Sequence, residues 1–369
     1  MPVKSLLFDL QIASKAITKL VRRPRYSGTV DVYLCVVDHY EPSVGGAARP
    51  LAEERVEDWL RRYPQVACKH RDADGVVPPH CFFYPWDEYN DWEMKRISEL
   101  CSRGFGEVEI HLHHKDDTDA GLRAKLRDAI SAYRAHGNLS QWPDGRPAFA
   151  FIHGNWSLDN SRQEGGINYC GVDNEITVLQ EEGCFADLTF PAWRQLAQPR
   201  TLNSVYYALD DPLKPKSYDT GAAAAVGRTA QQGLLMVQGP LVPCIERSEG
   251  RSRPGVDDAD LAASAARRYA PCRFDRWVRA HVHVDGRPDR IFIKLCSHGA
   301  QDSNRESMLS GDLDALYTDA EARYNDGKRY RLHYVTAREL VNVIHATEAG
   351  VEDSAVLRDW KFPRPANAQ

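Results

Sequence analysis

Three of the chain's 13 histidines fall within four residues, in the run Val108-Glu109-Ile110-His111-Leu112-His113-His114-Lys115-Asp116-Asp117. The run alternates like a strand, so Glu109, His111 and His113 point one way and Ile110, Leu112 and His114 the other. Two imidazoles on one face at a strand end can converge on one divalent cation, with Zn–N bonds of roughly 2.0–2.1 Å. The carboxylates of Asp116 and Asp117 follow in the next loop. The plainer alternative is a surface histidine cluster that holds no metal.

Similar chemistry recurs at the ends of other apolar runs. Residues 31–37 read as a strand buried on both faces and stop at Asp38-His39-Tyr40-Glu41-Pro42. Residues 147–152 stop at His153-Gly154-Asn155-Trp156-Ser157-Leu158-Asp159, and residues 290–296 stop at Ser297-His298-Gly299. Asp187 stands among apolar residues in a further strand, 184–191, either as a structural hydrogen-bonding group or as a catalyst. At Asp38 the competing reading is a strand-terminating turn with a capping aspartate. The carboxyl ends of parallel strands share one face, so residues far apart in sequence would meet in one pocket.

The elements that must position these residues follow from periodicity. Helices are expected over 51–63 (ended by Pro64), from about 93 to 100, and over 120–136, 174–182, 261–269 and 337–346. Strands are expected over 81–85, 203–208, 234–238 and 331–335, with loops over 210–233 and 248–258. Strands alternating with helices imply βα units, a parallel sheet and a barrel. The aromatic and acidic run Trp86-Asp87-Glu88-Tyr89 suits either a carbohydrate groove or a helix start. Three parts are expected: an N-terminal amphipathic helix (1–28), the barrel (29–350) and a tail (351–369), poorly ordered after Asp359.

Length and composition bound the alternatives. The 369 residues, 43% of them hydrophobic, suffice for a large core, and a net charge of −5 with no basic block sets nucleic acid aside. The nine scattered cysteines form no CxxC pair and fit free thiols in a reducing, cytoplasmic setting. No signal peptide or membrane span is read. Leu6, Leu7, Leu10, Ala13, Ile17, Leu20 and Val21 keep a helical period before Arg22, Arg23 and Arg25. A docked helix is expected, with a weak membrane-surface contact as the alternative. Oligomeric state leaves no trace.

The strand-end motifs resemble those of the polysaccharide deacetylases, the NodB-homology carbohydrate esterases of the glycoside hydrolase/deacetylase barrel superfamily. The resemblance covers most of residues 30–345, as a divergent branch. It implies a distorted (β/α)7 barrel holding one divalent metal, zinc first, with nickel, cobalt or manganese as alternatives. Val36-Val37-Asp38-His39 is similar to the family's first motif, which implies Asp38 as general base and His39 as a ligand. The family's histidine pair is spaced by four. Here Lys115 stands four beyond His111, so His113 is the implied second ligand, with His114 or His153 as other ways to complete the shell. His298 takes the general-acid place. Phe190-Pro191 lacks the family's Arg-Pro arginine. His153, Asn155, Trp156 and Asp187 are then the expected saccharide contacts. The implied reaction removes an N- or O-acetyl group from a saccharide, in exopolysaccharide or lipopolysaccharide assembly. The competing readings are a glycoside hydrolase using paired carboxylates such as Asp38 and Asp187, an amidohydrolase acting on a small amide, and an inactive carbohydrate-binding scaffold.

Overall fold

The computed structural model describes residues 3–228, 232–248 and 251–368. The chain opens with helix α1 (Val3–Arg22) and then alternates: β1 (Val30–His39), α2 (Arg49–Ala67), β2 (His80–Pro85), α3 (Asp91–Leu100), β3 (Gly106–Leu112), α4 (Asp119–Ala135), β4 (Pro147–His153), α5 (Glu175–Glu181) and β5 (Cys184–Asp187). Each of these strands after β1 pairs in parallel with the one before it. Strands β6 (Ser204–Ala208), β7 (Gly221–Ala223) and β8 (Leu234–Gln238) follow, then a hairpin of β9 (Val242–Ser248) and β10 (Arg251–Asp257). The chain closes with β11 (Asp260–Leu261), α6 (Pro271–Ala280), β12 (Arg290–Ser297), α7 (Leu313–Tyr324), β13 (Tyr330–Tyr334) and α8 (Ala337–Glu348), among shorter turns of helix.

The fold is α/β, built on a 12-stranded, mostly parallel sheet ordered β7-β6-β8-β5-β4-β3-β2-β1-β12-β11, with β13 also on β1 and the two-residue strand Ser140–Gln141 on β4. Strand β6 runs antiparallel to both β7 and β8. The two ends of this order do not pair with each other among the described residues.

Strands β1, β2 and β4 are nearly continuous in hydrophobicity because both faces are covered, whereas β3 alternates Glu107, Glu109 and His111 with Val108, Ile110 and Leu112. Val32, Leu34 and Val36 pack outward with Trp59 and Tyr63 of α2 and Ile97 of α3. Tyr33, Cys35 and Val37 pack on the other face with Phe83, Ile152, Phe292 and Leu340 and Ile344 of α8. The period of two therefore decides which face each strand-end residue takes.

Five expectations change. Pro64 lies inside α2, which runs on to Ala67; a proline this near a helix end loses little, and its carbonyl still accepts from Cys68 N–H. The expected loop over 248–258 contains β10, whose charged, Gly/Pro-broken sequence hid a hairpin strand, while residues 249 and 250 lie outside the described residues. Residues 229–231 of the expected 210–233 loop do so too, and the same stretch contains the short strand β7. No helix covers 261–269; it starts at Pro271 instead, where fixed φ suits the first helical turn. The tail packs rather than fraying. Phe362 is fully buried, its ring stacked on Phe185, and its carbonyl accepts from Arg338 and Asn342 of α8.

Helix α1 docks through Phe8, Ile12 and Ala16 against Leu202, Leu241 and Val256. Leu7, Leu10, Ile17 and Val21 form an opposite stripe, each half or more exposed; the side chain of Leu6 lies outside the described residues. Among the described residues no helix is long and apolar enough to cross a membrane.

Candidate metal centre

Strand alternation carries His39 and Glu41 from the end of β1, and His111 and His113 from the end of β3, to the same mouth of the sheet. Glu41 Oε1 stands 3.1 Å from His111 Nε2 and 3.1 Å from His113 Nε2. Corners of a tetrahedron around zinc, with bonds of roughly 2.0–2.2 Å, lie about 3.3 Å apart. The three donors are therefore spaced as ligands of one ion. The proton positions agree. His111 Nδ1 lies 2.9 Å from the Ile152 carbonyl, which can only accept, so the N–H is at Nδ1 and the lone pair of Nε2 faces Glu41. A lone pair set against a carboxylate calls for a cation or a second proton between them. His113 is braced in the same manner, with Asp87 3.2 Å from its Nδ1 and accepting from its backbone N–H. Carboxylate and carbonyl partners on the far ring nitrogens are how proteins orient metal-ligating histidines.

The electrostatics follow from these contacts. Burial alone would raise the Glu41 carboxyl, but the imidazoles of His111 and His113 set against it hold it well below the usual carboxylate range. His113 is desolvated, yet Asp87 and Glu41 lift it to about 10. Burial, with His298 and His111 beside it, holds His39 neutral. Its ring centroid is 5.0 Å from that of His111 and 4.6 Å from that of His298. His39 is outside the trio whose donor atoms all lie within 4.8 Å of one another, namely Glu41, His111 and His113.

A cavity of about 260 Å³ opens on this trio, lined by His39, Glu41, Val44, Glu88, His113, Asn155, Trp156, His298 and Gln301. Burial, and then the charges of Glu41 and Asp87, push Glu88 up to about 7, and its Oε2 is buried without a hydrogen-bond partner. Asn155 and Trp156 both sit at positive φ, 57° and 55°, which swings the indole edge-on to His298 with centroids 6.3 Å apart.

Asp38 takes the other face of β1, as alternation requires. It is fully buried, accepts from His80 Nε2 at 2.8 Å and from Gly299 N–H at 2.6 Å, and does not line the cavity. Trp59 Nε1 donates to the Gly299 carbonyl at 2.9 Å. Asp38 and Trp59 thus pin the turn that carries His298. Gly299 must be glycine, because a Cβ there would lie 2.2 Å from Asp38 Oδ2 and 2.6 Å from the Trp59 ring.

Asp187 is fully buried, 2.6 Å from Thr189 Oγ1 and beside Lys294; burial pushes the aspartate up and the lysine down. Asp38 and Asp187 therefore do not form a pair across the cavity. His153 is fully buried too and joins His114, Cys170 and Glu175 in a second group under the loop after β4. Of the expected site residues, the structure gathers His39, His111, His113, Asn155, Trp156 and His298 at the mouth, and sets Asp38, His153 and Asp187 apart from it. It adds Glu41, two residues beyond His39 and so on the same face, and Glu88, from the aromatic–acid run after β2.

No family model matches the chain, and no curated protein is significantly similar to it. The geometry of the mouth therefore carries the functional reading by itself.

Proposed function

We propose that the chain is a metal-dependent hydrolase of the deacetylase type, built on a distorted (β/α)7 barrel and removing an acetyl group from a saccharide. The observation that carries the reading is the trio Glu41, His111 and His113 at the carboxyl ends of β1 and β3. Two imidazoles and one carboxylate facing an open cavity match catalytic zinc sites, which keep one position free. The donor set suits zinc first, and nickel, cobalt or manganese after it. Bound there, such a cation lowers the pKa of its water from 15.7 to roughly 7 and polarises a carbonyl.

The chain's own groups supply the rest. Glu88, lining the cavity with a free buried oxygen, accepts the proton of the attacking water. His298, held by the pinned Gly299 turn, donates a proton to the departing nitrogen or oxygen of the sugar. Trp156 offers a flat face to a sugar ring, and Asn155 and Gln301 hydrogen-bond its hydroxyls. Asp38, expected as the base, becomes a positioning residue for His298. A cavity below the roughly 300–1,000 Å³ of drug-sized sites suits a single ring or a short acyl arm. The exposed stripe Leu7, Leu10, Ile17 and Val21 beside Lys15, Lys19 and Arg22 gives α1 the chemistry for weak contact with an anionic membrane.

The test is metal analysis of the purified chain, with acetate and reducing ends measured on N-acetylated oligosaccharides. We expect acetate release that requires stoichiometric metal and fails in His111→Ala. Reducing ends without acetate would mean a glycosidase. A metal-free chain whose sugar affinity ignores His111→Ala would mean a binding scaffold.

A further inference from the structure

A second cluster lies behind the mouth, on the opposite face of β3. His114 Nε2 is 3.0 Å from Glu175 Oε1, His153 Nε2 is 3.5 Å from the same oxygen, and Cys170 Sγ is 3.3 Å from Glu175 Oε2. One donor atom from each of the four residues lies within 4.8 Å of the others, and all four residues are buried. Zinc bonds of about 2.3 Å to sulfur and roughly 2.0–2.2 Å to nitrogen and oxygen would place its corners about 3.3–3.6 Å apart, which these separations approach.

The protonation pattern points the same way. His153 Nδ1 lies 2.5 Å from the Gly154 carbonyl and must be the N–H, so Nε2 turns a lone pair into the cluster. That atom is fully buried and has no hydrogen-bond partner. A buried lone pair facing a carboxylate is costly unless a cation sits between them. Outer groups stand against two of the ligands. Asp117 Oδ2 is 3.3 Å from His114 Nδ1, and the Asp159 N–H donates to Glu175 Oε2 at 2.6 Å. The four residues come from three separate segments, so one ion would tie the turn after β3, the end of β4 and the loop into α5 together.

We infer that His114, His153, Cys170 and Glu175 form a closed, four-ligand zinc site whose role is structural and which is separate from the ion at the mouth. Four protein donors leave no position for substrate, as in structural zinc sites. Binding displaces the Cys170 thiol proton, since only the thiolate ligates.

The test loads the full-length apo-protein with cobalt(II) and reads the near-ultraviolet charge-transfer band that a thiolate ligand produces. The band should saturate at one equivalent and vanish in Cys170→Ser, while Glu41→Gln, which strips the mouth, keeps it. The wild-type chain should carry two zinc ions and lose one in each variant. No thiolate band in the fully loaded wild type overturns the inference, and so does a band that survives in Cys170→Ser. Should Cys170→Ser fail to fold, the double variant Cys68→Ser/Cys272→Ser removes the exposed thiols. The inference then requires the band to persist undiminished, and its loss assigns the ion to the surface. Failure of the mouth reading alone would leave one ion, with the band intact.

Discussion

Single atoms decide the chemistry at the mouth. Asp87 holds no ion itself but braces His113, and loss of such outer partners weakens metal binding by about 10–100-fold. Asp87→Asn should lower zinc affinity by that factor in competition with a chelator. In the proposed reaction Glu88 would set the acid limb of the pH profile. A base works only when ionised, so the rate climbs as pH rises through its pKa. That pKa is about 7 in the chain alone and lower once a cation sits beside Glu41. The limb should therefore fall below about 7 in the loaded enzyme, and Glu88→Gln should lower the maximum and erase the limb. Asp38→Asn separates a base from a positioning group. It should lower kcat and thermal stability but leave the shape of the profile in place, because Asp38 only holds the turn under His298. Parts of this were legible beforehand. Alternation put His111 and His113 on one face, and the same rule, extended two residues past His39, gives Glu41. It also turns Asp38 and His153 away, which the motif resemblance overrode. Cys170 carried no signal: a lone cysteine in a polar loop gains meaning only when a glutamate, five residues on, folds against two histidines.

Elements enter through what they clamp. The β13–β1 pair places His333 between Asp31 and Asp74, 3.1 and 2.9 Å from its two ring nitrogens. Burial opposes its charge, but the two carboxylates outweigh burial and raise its pKa. A histidine pKa raised by folding stabilises fully below the unfolded value of about 6.5 and stops doing so as pH rises through the folded value. The gap in melting temperature between the wild type and His333→Gln should therefore be widest in mild acid and shrink in alkali. Gly299→Ala forces a methyl group into Asp38 and Trp59. Overpacking of this kind costs about 1–3 kcal/mol, to be read by denaturant unfolding. The buried strands were readable because both faces are apolar. The β10 hairpin and the helix start at Pro271 were not, because tertiary contact rather than periodicity fixes them.

Over the whole molecule, the last residues close the inner face. Phe362 stacks on Phe185 and meets the edge of Trp142, while Arg338 bridges Glu107, Asp359 and the Phe362 carbonyl. Phe362→Ala should cost about 3–5 kcal/mol, and deletion after Asp359 should lower the melting temperature further. The sequence concealed this, since a Pro-rich terminal run looks the same whether or not a pocket receives its one phenylalanine.

The sheet order ends in strands of three residues, Gly221–Ala223, and of two, Asp260–Leu261. Unpaired edges are the places where one molecule templates another. A foreign strand arriving at either flank finds a ledge with room for only a bond or two before the backbone turns off. Although its strands are rich in valine, isoleucine and phenylalanine, the main sheet offers fibril growth no runway at these two ends. Aggregation through them at high concentration should therefore track unfolding rather than edge-to-edge recruitment.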